Sequence, residues 1–135
     1  MEKHNIAIVG LGRVGTVFLE KVLRSDGVLI IKSVCEPADT AGKKMALAHG
    51  IPIGCIDDII KSGVDVDVIF DFTGDEQVAE LLRGKLEESG NNYTQVAQKR
   101  IARLIWSLIA DDDYLPEVEA TKYQSYADML LSQQK

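Results

Sequence analysis

The sequence predicts an α/β fold in which helices cover both faces of a doubly wound parallel sheet. Three observations support this prediction: short apolar runs alternate with amphipathic segments, the first run ends in a glycine-rich turn, and the second ends in an acidic residue. Continuous apolar runs are typical of strands buried on both faces. Strands that alternate with helices favour a parallel sheet with crossover connections.

The first predicted strand spans residues 6–9, and the helix after it ends near Arg24. The apolar positions of this helix recur at helical spacing: Val14, Val17, Phe18 and Val22. The later elements alternate in the same way. We predict a strand over residues 28–36, a helix over 39–49, a short strand over 51–53, a small helix over 57–63, a strand over 66–72, a helix over 75–89, a strand over 93–97 and a helix over 99–110.

The pattern changes after Ala110, so we predict an α/β domain over residues 1–110 and a C-terminal helical extension over residues 111–135. The extension contains an acidic patch, Pro116 and one last predicted helix. The apolar positions of this helix fall on one stripe with large neighbours: Ala120, Tyr123, Tyr126, Ala127, Met129, Leu130 and Leu131. The helix could pack on its own domain or join two copies of the chain, and dimerisation is the prediction we test.

Composition excludes several function classes. The net charge of −6 argues against nucleic-acid binding, because phosphate neutralisation needs a basic face. Cys35 and Cys55 form no C-x-x-C motif, which predicts neither a metal site nor a disulfide scaffold. No apolar segment approaches the ~18 residues of a membrane helix, and residues 1–5 do not resemble a signal peptide. We therefore expect a soluble cytoplasmic protein that contacts no membrane.

The glycines of GLGRVG have the spacing G-x-G-x-x-G between a strand and a helix. Gly10 allows a tight turn, Gly12 lets the backbone approach a pyrophosphate, and Gly15 allows close helix–strand contact. Glu36, which lies 21 residues after Gly15, ends the second strand and can accept hydrogen bonds from ribose hydroxyls. This combination predicts a dinucleotide site; the alternative is a structural turn without a ligand.

Glu36 also bears on the choice between the two nicotinamide dinucleotides. Its carboxylate would repel a 2′-phosphate, so NAD is favoured over NADP. NADP stays possible because Arg13, Lys43 and Lys44 could neutralise that phosphate.

The strand over residues 66–72 leads into a second candidate site segment. Ligands of doubly wound folds lie outside the carboxyl ends of the strands, so we expect Phe72, Thr73 and Gly74 to border the cofactor. Thr73 and Glu76 also have the spacing of a capping box. Asp71 is interpreted as a capping or core-edge acid, without a catalytic role.

Two stretches, IAIVGLGRVGTVFLE and VDVIFDFTGDEQVAELL, carry a family resemblance over about residues 5–90. They resemble the N-terminal Rossmann-type cofactor domains of dihydrodipicolinate reductase, homoserine dehydrogenase and the glucose-fructose oxidoreductase / inositol dehydrogenase group. The resemblance implies that five loop residues cradle the phosphates, namely Gly10, Gly12, Arg13, Val14 and Gly15. It also implies that Glu36 holds the ribose and that Phe72, Thr73 and Gly74 border the nicotinamide.

The sequence departs from those families after Ala110, where their substrate domain would follow. No H-H, no E-K-P and no lysine dyad is present, so no catalytic residue is assigned. The stretch NNYTQVAQKRIARLIW is similar to cofactor domains fused to signalling modules. We therefore predict an NAD(H)-binding protein that serves as a cofactor-binding or redox-sensing module. The alternatives are an oxidoreductase whose pocket a second subunit completes, and a binding protein for another nucleotide or coenzyme A.

The last helix of the α/β domain carries two further patterns. Trp106 falls in an apolar stripe with Ile101, Leu104, Ile105 and Leu108, and we expect it in the core or in an interface. Its basic side chains form a face that is either solvated or bound to an anionic partner: Lys99, Arg100 and Arg103, with Gln98 beside them.

Overall fold

The structure is a computed structural model that describes residues 2–25 and 27–109. These residues form a parallel sheet of four strands in the order β2-β1-β3-β4, with helices on both faces. This arrangement confirms the predicted α/β, doubly wound fold. In chain order the elements are β1 (His4–Val9), α1 (Arg13–Arg24), β2 (Leu29–Cys35), α2 (Ala41–Ala48), α3 (Ile56–Lys61), β3 (Val68–Asp71), α4 (Glu76–Glu88), β4 (Gln95–Ala97) and α5 (Lys99–Ile109).

The central strand β1 separates two hydrophobic cores, because successive side chains of a strand point to opposite faces. Ile6 and Ile8 belong to the core that also contains residues of α1, α2 and α5. Ala7 and Val9 belong to the core that contains residues of α3 and α4. All four side chains are almost completely buried, which explains why β1 reads as one continuous apolar run.

The short strand predicted over residues 51–53 is reduced to a single bridge between Val34 and Ile53. The amide of Val34 donates to the carbonyl of Pro52 at 3.0 Å, and the amide of Gly54 donates to the carbonyl of Val34 at 3.0 Å. Pro52 has no N–H to donate to a longer ladder. The predicted third strand is therefore present only as this single bridge.

The helix predicted from residue 39 begins two residues later. Thr40 is the N-cap of α2, and its side chain accepts a hydrogen bond from the amide of Lys43 at 3.1 Å. A threonine in this position satisfies one of the amides that the first helical turn leaves unpaired.

An aromatic cluster packs under the carboxyl end of β3, where the ring of Phe18 lies 4.9 Å from Phe70 and 5.0 Å from Phe72 between centroids. Trp106 joins this cluster and is 5% exposed, which confirms its expected place in the core. Of the other large apolar side chains of the predicted stripe, Ile105 is half-buried and three are exposed. The exposed ones are Ile101, Leu104 and Leu108.

The predicted extension over residues 111–135 lies outside the described residues. Among the described helices, none is long and apolar enough to cross a membrane.

Candidate functional site

Gly10 is the point where the ends of three strands meet. Its φ of +96° lies in the left-handed region that favours glycine. Its amide donates to the carbonyl of Cys35 at 2.9 Å, and a Cβ atom here would lie 3.1 Å from the backbone of both Phe72 and Thr73. The fold itself therefore requires a glycine at this position, whether or not a ligand binds.

Gly15 is required by the packing of α1 against the loop before it. A Cβ atom at Gly15 would lie only 2.1 Å from the carbonyl oxygen of Gly10. Backbone atoms cannot yield at that separation, so the third glycine permits the close approach expected from the sequence.

Gly12 differs from both of these glycines. Its φ of −74° suits any L-residue, and a Cβ atom would meet no atom within 4 Å. Gly12 is exposed and forms the N-cap of α1, a position at which Ser, Thr, Asn or Asp would satisfy more helix amides. The part of the chain that the structure describes gives no intramolecular reason for a glycine here.

The first turn of α1 is open toward the glycine loop. No side chain caps it, its first turn contains no acidic residue, and its first residue is Arg13. The N-terminus of a helix carries a partial positive charge and unpaired amides, and it is normally stabilised by negative groups. Val14 is buried beneath this turn, whereas Arg13 is exposed on it. The first turn of α1 therefore has neither a side-chain cap nor an acidic residue of its own to balance the helix dipole.

Glu36 follows β2 and is hydrogen-bonded to the glycine loop. One carboxylate oxygen accepts from the amide of Leu11 at 2.8 Å, and the other accepts from the amide of Ala38 at 3.0 Å. Each carboxylate oxygen has two lone pairs, so both can still accept a hydrogen bond from a ribose hydroxyl. The contact with Leu11 gives Glu36 a second role, fixing the loop to β2, which the sequence did not predict.

Cys35 lies beside Glu36 and is half-buried. Burial raises the pKa of its thiol, and the nearby Cys55, Glu36 and Asp58 raise it further, against the opposing effect of Lys43. The thiol therefore stays protonated at neutral pH and behaves as a small apolar group.

Asp71, the last residue of β3, organises the turn that follows. It is 3% exposed, and its Oδ1 accepts from the amide of Thr73 at 2.9 Å and from the hydroxyl of Thr73 at 2.6 Å. The hydroxyl oxygen of Thr73 in turn accepts from the amide of Asp75 at 3.2 Å. Within the described residues, Asp71 Oδ2 is buried without a hydrogen-bond partner.

The capping box predicted for Thr73 and Glu76 is wrong, because α4 begins later than that spacing requires. The N-cap of α4 is Asp75, whose side chain accepts from the amide of Gln77 at 2.9 Å. The hydroxyl of Thr73 donates to Asp71 and accepts from the amide of Asp75 itself, so it does not cap the amides of the first helical turn. The interpretation of Asp71 as a core-edge acid is confirmed by its burial.

Three candidate site residues, Phe72, Thr73 and Gly74, follow β3 and differ in how they are placed. The ring of Phe72 packs into the aromatic cluster, and its backbone lies beside Gly10. Thr73 and Gly74 are exposed, and Gly74 has a φ of +71°. The fold brings Gly10, Phe72 and Thr73 into contact, as expected for segments at the carboxyl ends of adjacent parallel strands.

A cleft of about 760 Å³ opens at this edge of the sheet. Val14, Phe72, Thr73 and Gly74 line one part of it. The other part is lined by residues that the sequence did not place in the site: Asp71, Glu76, Arg83, Val96, Gln98, Lys99, Arg100 and Ile101. Only the basic face of α5 gave a signal in the sequence. In the residues described by the structure, no group of three or more His, Cys, Asp or Glu side chains could hold a metal ion.

Solved structures share this fold. A protein assigned as a myo-inositol dehydrogenase from Sinorhizobium meliloti 1021 is 20% identical over 79% of this chain and 34% of its own, with a TM-score of 0.55. S. aureus homoserine dehydrogenase is 16% identical over 73% of this chain and 32% of its own, with a TM-score of 0.49. C. glutamicum DAP dehydrogenase is 18% identical over 78% of this chain and 32% of its own, with a TM-score of 0.48.

The similarity to the S. meliloti structure, whose TM-score is 0.55, confirms the predicted fold. The chain spans about a third of the length of the structures that it resembles. No protein-family model matches the chain, and no curated protein matches it by sequence.

Proposed function

We propose that this protein binds NAD(H) at the carboxyl edge of its sheet, where the parallel strands end. The observation that carries the proposal is Gly12: the fold needs glycine at Gly10 and Gly15, but at Gly12 the absent side chain faces open space. A pyrophosphate in that space would accept hydrogen bonds from the first-turn amides of α1 and would balance its positive end. The Rossmann fold supports a nicotinamide dinucleotide as the ligand.

The residues around the glycine loop can be assigned to the phosphates, the adenosine ribose and the nicotinamide of this ligand. Gly10, Gly12, Arg13, Val14 and Gly15 would hold the phosphates. Glu36 would accept the adenosine ribose hydroxyls while keeping its bond to Leu11, and its charge favours NAD over NADP. The backbone of Phe72, with Thr73 and Gly74, would border the nicotinamide ring, whose chemistry is hydride transfer.

The substitution Gly12→Val tests the proposal without disturbing the fold. We expect it to lower the affinity for NADH by at least about 100-fold, because the new side chain occupies the place of the pyrophosphate. Calorimetric titration gives the affinity. Gly84→Ala is the matched control, since its Cβ also meets no atom within 4 Å. A folded Gly12→Val protein that binds NADH as well as the wild type would overturn the assignment.

We further propose that the protein is a cofactor-binding or redox-sensing module of the cytoplasm. Within residues 1–110 the sequence contains no recognised catalytic motif. The second candidate is an oxidoreductase completed by a second subunit, and one observation favours it: Lys99, whose ammonium group can donate a proton, lines the same cleft as Thr73 and Gly74. NADH oxidation with a panel of carbonyl compounds, and its loss in Lys99→Met, would establish the enzyme.

The proposed assembly is a homodimer formed through residues 111–135. The apolar stripe of that segment, and the exposed Ile101, Leu104 and Leu108 on α5, support an interface in this region. We expect light scattering to give the mass of a dimer for the full chain and of a monomer after truncation at Ala110. A monomeric full chain at micromolar concentration would refute the dimer.

A further inference from the structure

The helix α5 carries a narrow apolar stripe that is exposed in the part of the chain that the structure describes. Ile101, Leu104 and Leu108 are 48%, 60% and 80% exposed, although Ala102 and Trp106 on another face of the helix are buried. At 3.6 residues per turn, the three exposed side chains lie within about 60° of one another around the helix axis. We propose that two copies of the chain pack through this stripe, α5 against α5, antiparallel across a two-fold axis.

This inference rests on the homodimer proposed above and names the surface of the described domain that takes part in it. A single exposed leucine, such as Leu47 at 62%, is ordinary on a protein surface. Three large aliphatic side chains on successive turns of one helix face form a continuous strip, which is typical of a helix that packs against another helix. The strip is therefore a candidate interface.

The spacing of the stripe suits contact with a second copy of itself. In a two-fold interface, residue i of one copy contacts residue j of the other, and residue j contacts residue i. With the axis beside Leu104, Ile101 of each copy faces Leu108 of the other, and the two Leu104 side chains lie close together. The same three side chains thus supply both halves of the contact.

Charge complementarity favours the antiparallel orientation. Arg100 is exposed near the start of α5. The sequence continues after α5 with three aspartates at residues 111–113, and two residues span at most about 7 Å, so residue 111 stays close to Ile109. In antiparallel packing, Arg100 of each copy faces the end of the partner helix, which these acids follow. A parallel pair would instead place arginine against arginine and aspartates against aspartates.

The proposed interface adjoins the cleft at the carboxyl edge of the sheet. Arg100 and Ile101 line that cleft together with Phe72, Thr73 and Gly74. Because Ile101 is also the first residue of the stripe, a second copy that packs on α5 would border the cleft. The partner is then placed to contribute residues to the site that is proposed to hold the nicotinamide.

The test is analytical ultracentrifugation of the full chain and of Leu104→Lys at micromolar concentration. We expect the wild type to be a dimer and the variant to have a dissociation constant at least about 100-fold higher, because two ammonium groups would meet near the axis. Leu108→Lys should act in the same direction. Leu47→Lys is the matched control, since Leu47 is a leucine of similar exposure on α2, and it should stay dimeric.

Arg100→Glu tests the orientation, because an acid would then face the aspartates of the partner. We expect the dissociation constant to rise about tenfold at low salt and by a smaller factor at high salt, since salt screens exposed charges. No change, or tighter association, would contradict the antiparallel packing.

The outcomes separate this inference from the proposals on which it rests. A monomeric wild type would refute the dimer and this inference together. A wild-type dimer that Leu104→Lys and Leu108→Lys leave intact, or that Leu47→Lys dissociates equally, would refute this inference alone. The leucines are exposed, so circular dichroism should show the variants folded. Dissociation by Leu104→Lys in a protein that does not bind NADH would support the interface and refute the dinucleotide site.

Discussion

The two ends of the parallel strands differ in how their polar groups are hydrogen-bonded. We call the end at which the strands begin the amino edge of the sheet and the end at which they stop the carboxyl edge. At the amino edge, Asp67 accepts from the amide of Asn5 and from the hydroxyl of Tyr93. The hydroxyl of Thr94 donates to the carbonyl of Val66 at 2.7 Å, and the side chain of Asn91 supports Thr94. The polar groups of these loops find their partners within the chain.

The carboxyl edge is built from the same strands and leaves its groups open. The first turn of α1 has no side-chain cap, Asp71 has an unpaired oxygen within the described residues, and Gly12 faces empty space. Buried polar groups are normally paired, and the buried ones without a partner in the described residues are Asp71 Oδ2 at this edge and Ser33 Oγ within β2. We therefore expect substitutions at the amino edge to change the free energy of unfolding. Substitutions at the carboxyl edge should change the affinity for NADH, unless the new side chain collides with the backbone.

The largest expected effect is that of Gly15→Ala. Although Gly15 lies at the carboxyl edge, we expect this substitution to lower the stability of the fold, because it strikes backbone packing. The new methyl group would meet the Gly10 carbonyl at 2.1 Å, and we expect a loss of at least about 3 kcal/mol of unfolding free energy. Urea denaturation measures it. Gly12→Ala, at the N-cap one turn away, should cost only about 1 kcal/mol or less. Equal stability of both variants would show that the two glycines do not differ as described.

Thr94→Val tests the amino edge. It leaves the carbonyl of Val66 buried without its donor, and we expect a cost of about 1–3 kcal/mol. The affinity for NADH should not change, because Thr94 lies at the opposite edge from the glycine loop. Thr94→Ser, which keeps the hydroxyl, should retain most of the stability. A change in NADH affinity without a change in stability would reverse the roles of the two edges.

Glu36→Gln sharpens the assignment at the carboxyl edge. The amide oxygen can still accept from Leu11, so the loop keeps its anchor, but the hydrogen bond from Ala38 and the negative charge that opposes a 2′-phosphate are lost. We expect the preference for NAD over NADP to fall by about tenfold, or ~1.4 kcal/mol. Asp39→Asn removes the same charge from an exposed position nearby and should leave the preference unchanged. A wild-type protein that already prefers NADP would contradict this role of Glu36.

The smallest expected effect is a shift in pH dependence at Asp67. Hydrogen bonds from Tyr93 and from the amide of Asn5 hold the pKa of Asp67 below its ordinary value. A carboxyl whose pKa is lowered by folding contributes stability above its unfolded pKa of about 3.9 and loses it as the pH falls through the folded value. Tyr93→Phe should raise the pKa of Asp67 and reduce this acid-dependent loss. Carboxyl NMR titration measures the pKa, and an unchanged value would contradict the assignment of Tyr93.

Much of the fold could be predicted because its signals are local. The apolar run of β1, the helical spacing of α1 and the glycine positions each depend on a few neighbouring residues. The sequence did not predict that Glu36 anchors Leu11, because that contact joins segments 25 residues apart. It also did not predict that Asp75 would replace Thr73 as the N-cap of α4, because Asp71 engages the threonine hydroxyl first.

The basic side chains that line the cleft were the least predictable feature; they are Arg83, Lys99 and Arg100. The sequence shows Lys99 and Arg100 as neighbours on one helix, which is a common arrangement for a solvated face. Arg83 lies on another helix, and only the pairing of β3 with β4 brings it beside Gln98. A cleft lined by two helices across a strand end has no short motif, so periodicity and spacing could not identify its lining.

The most direct test of the central claim is an NMR titration of the full chain with NADH that follows backbone amides at both edges. The account predicts large, saturable shifts at Gly12, Gly15, Glu36 and Gly74, with Asn5, Asp67 and Thr94 unmoved. In Gly12→Val the shifts should disappear while the spectrum stays that of a folded protein. Absence of saturable shifts in the wild type, or shifts confined to the amino edge, would contradict the dinucleotide site.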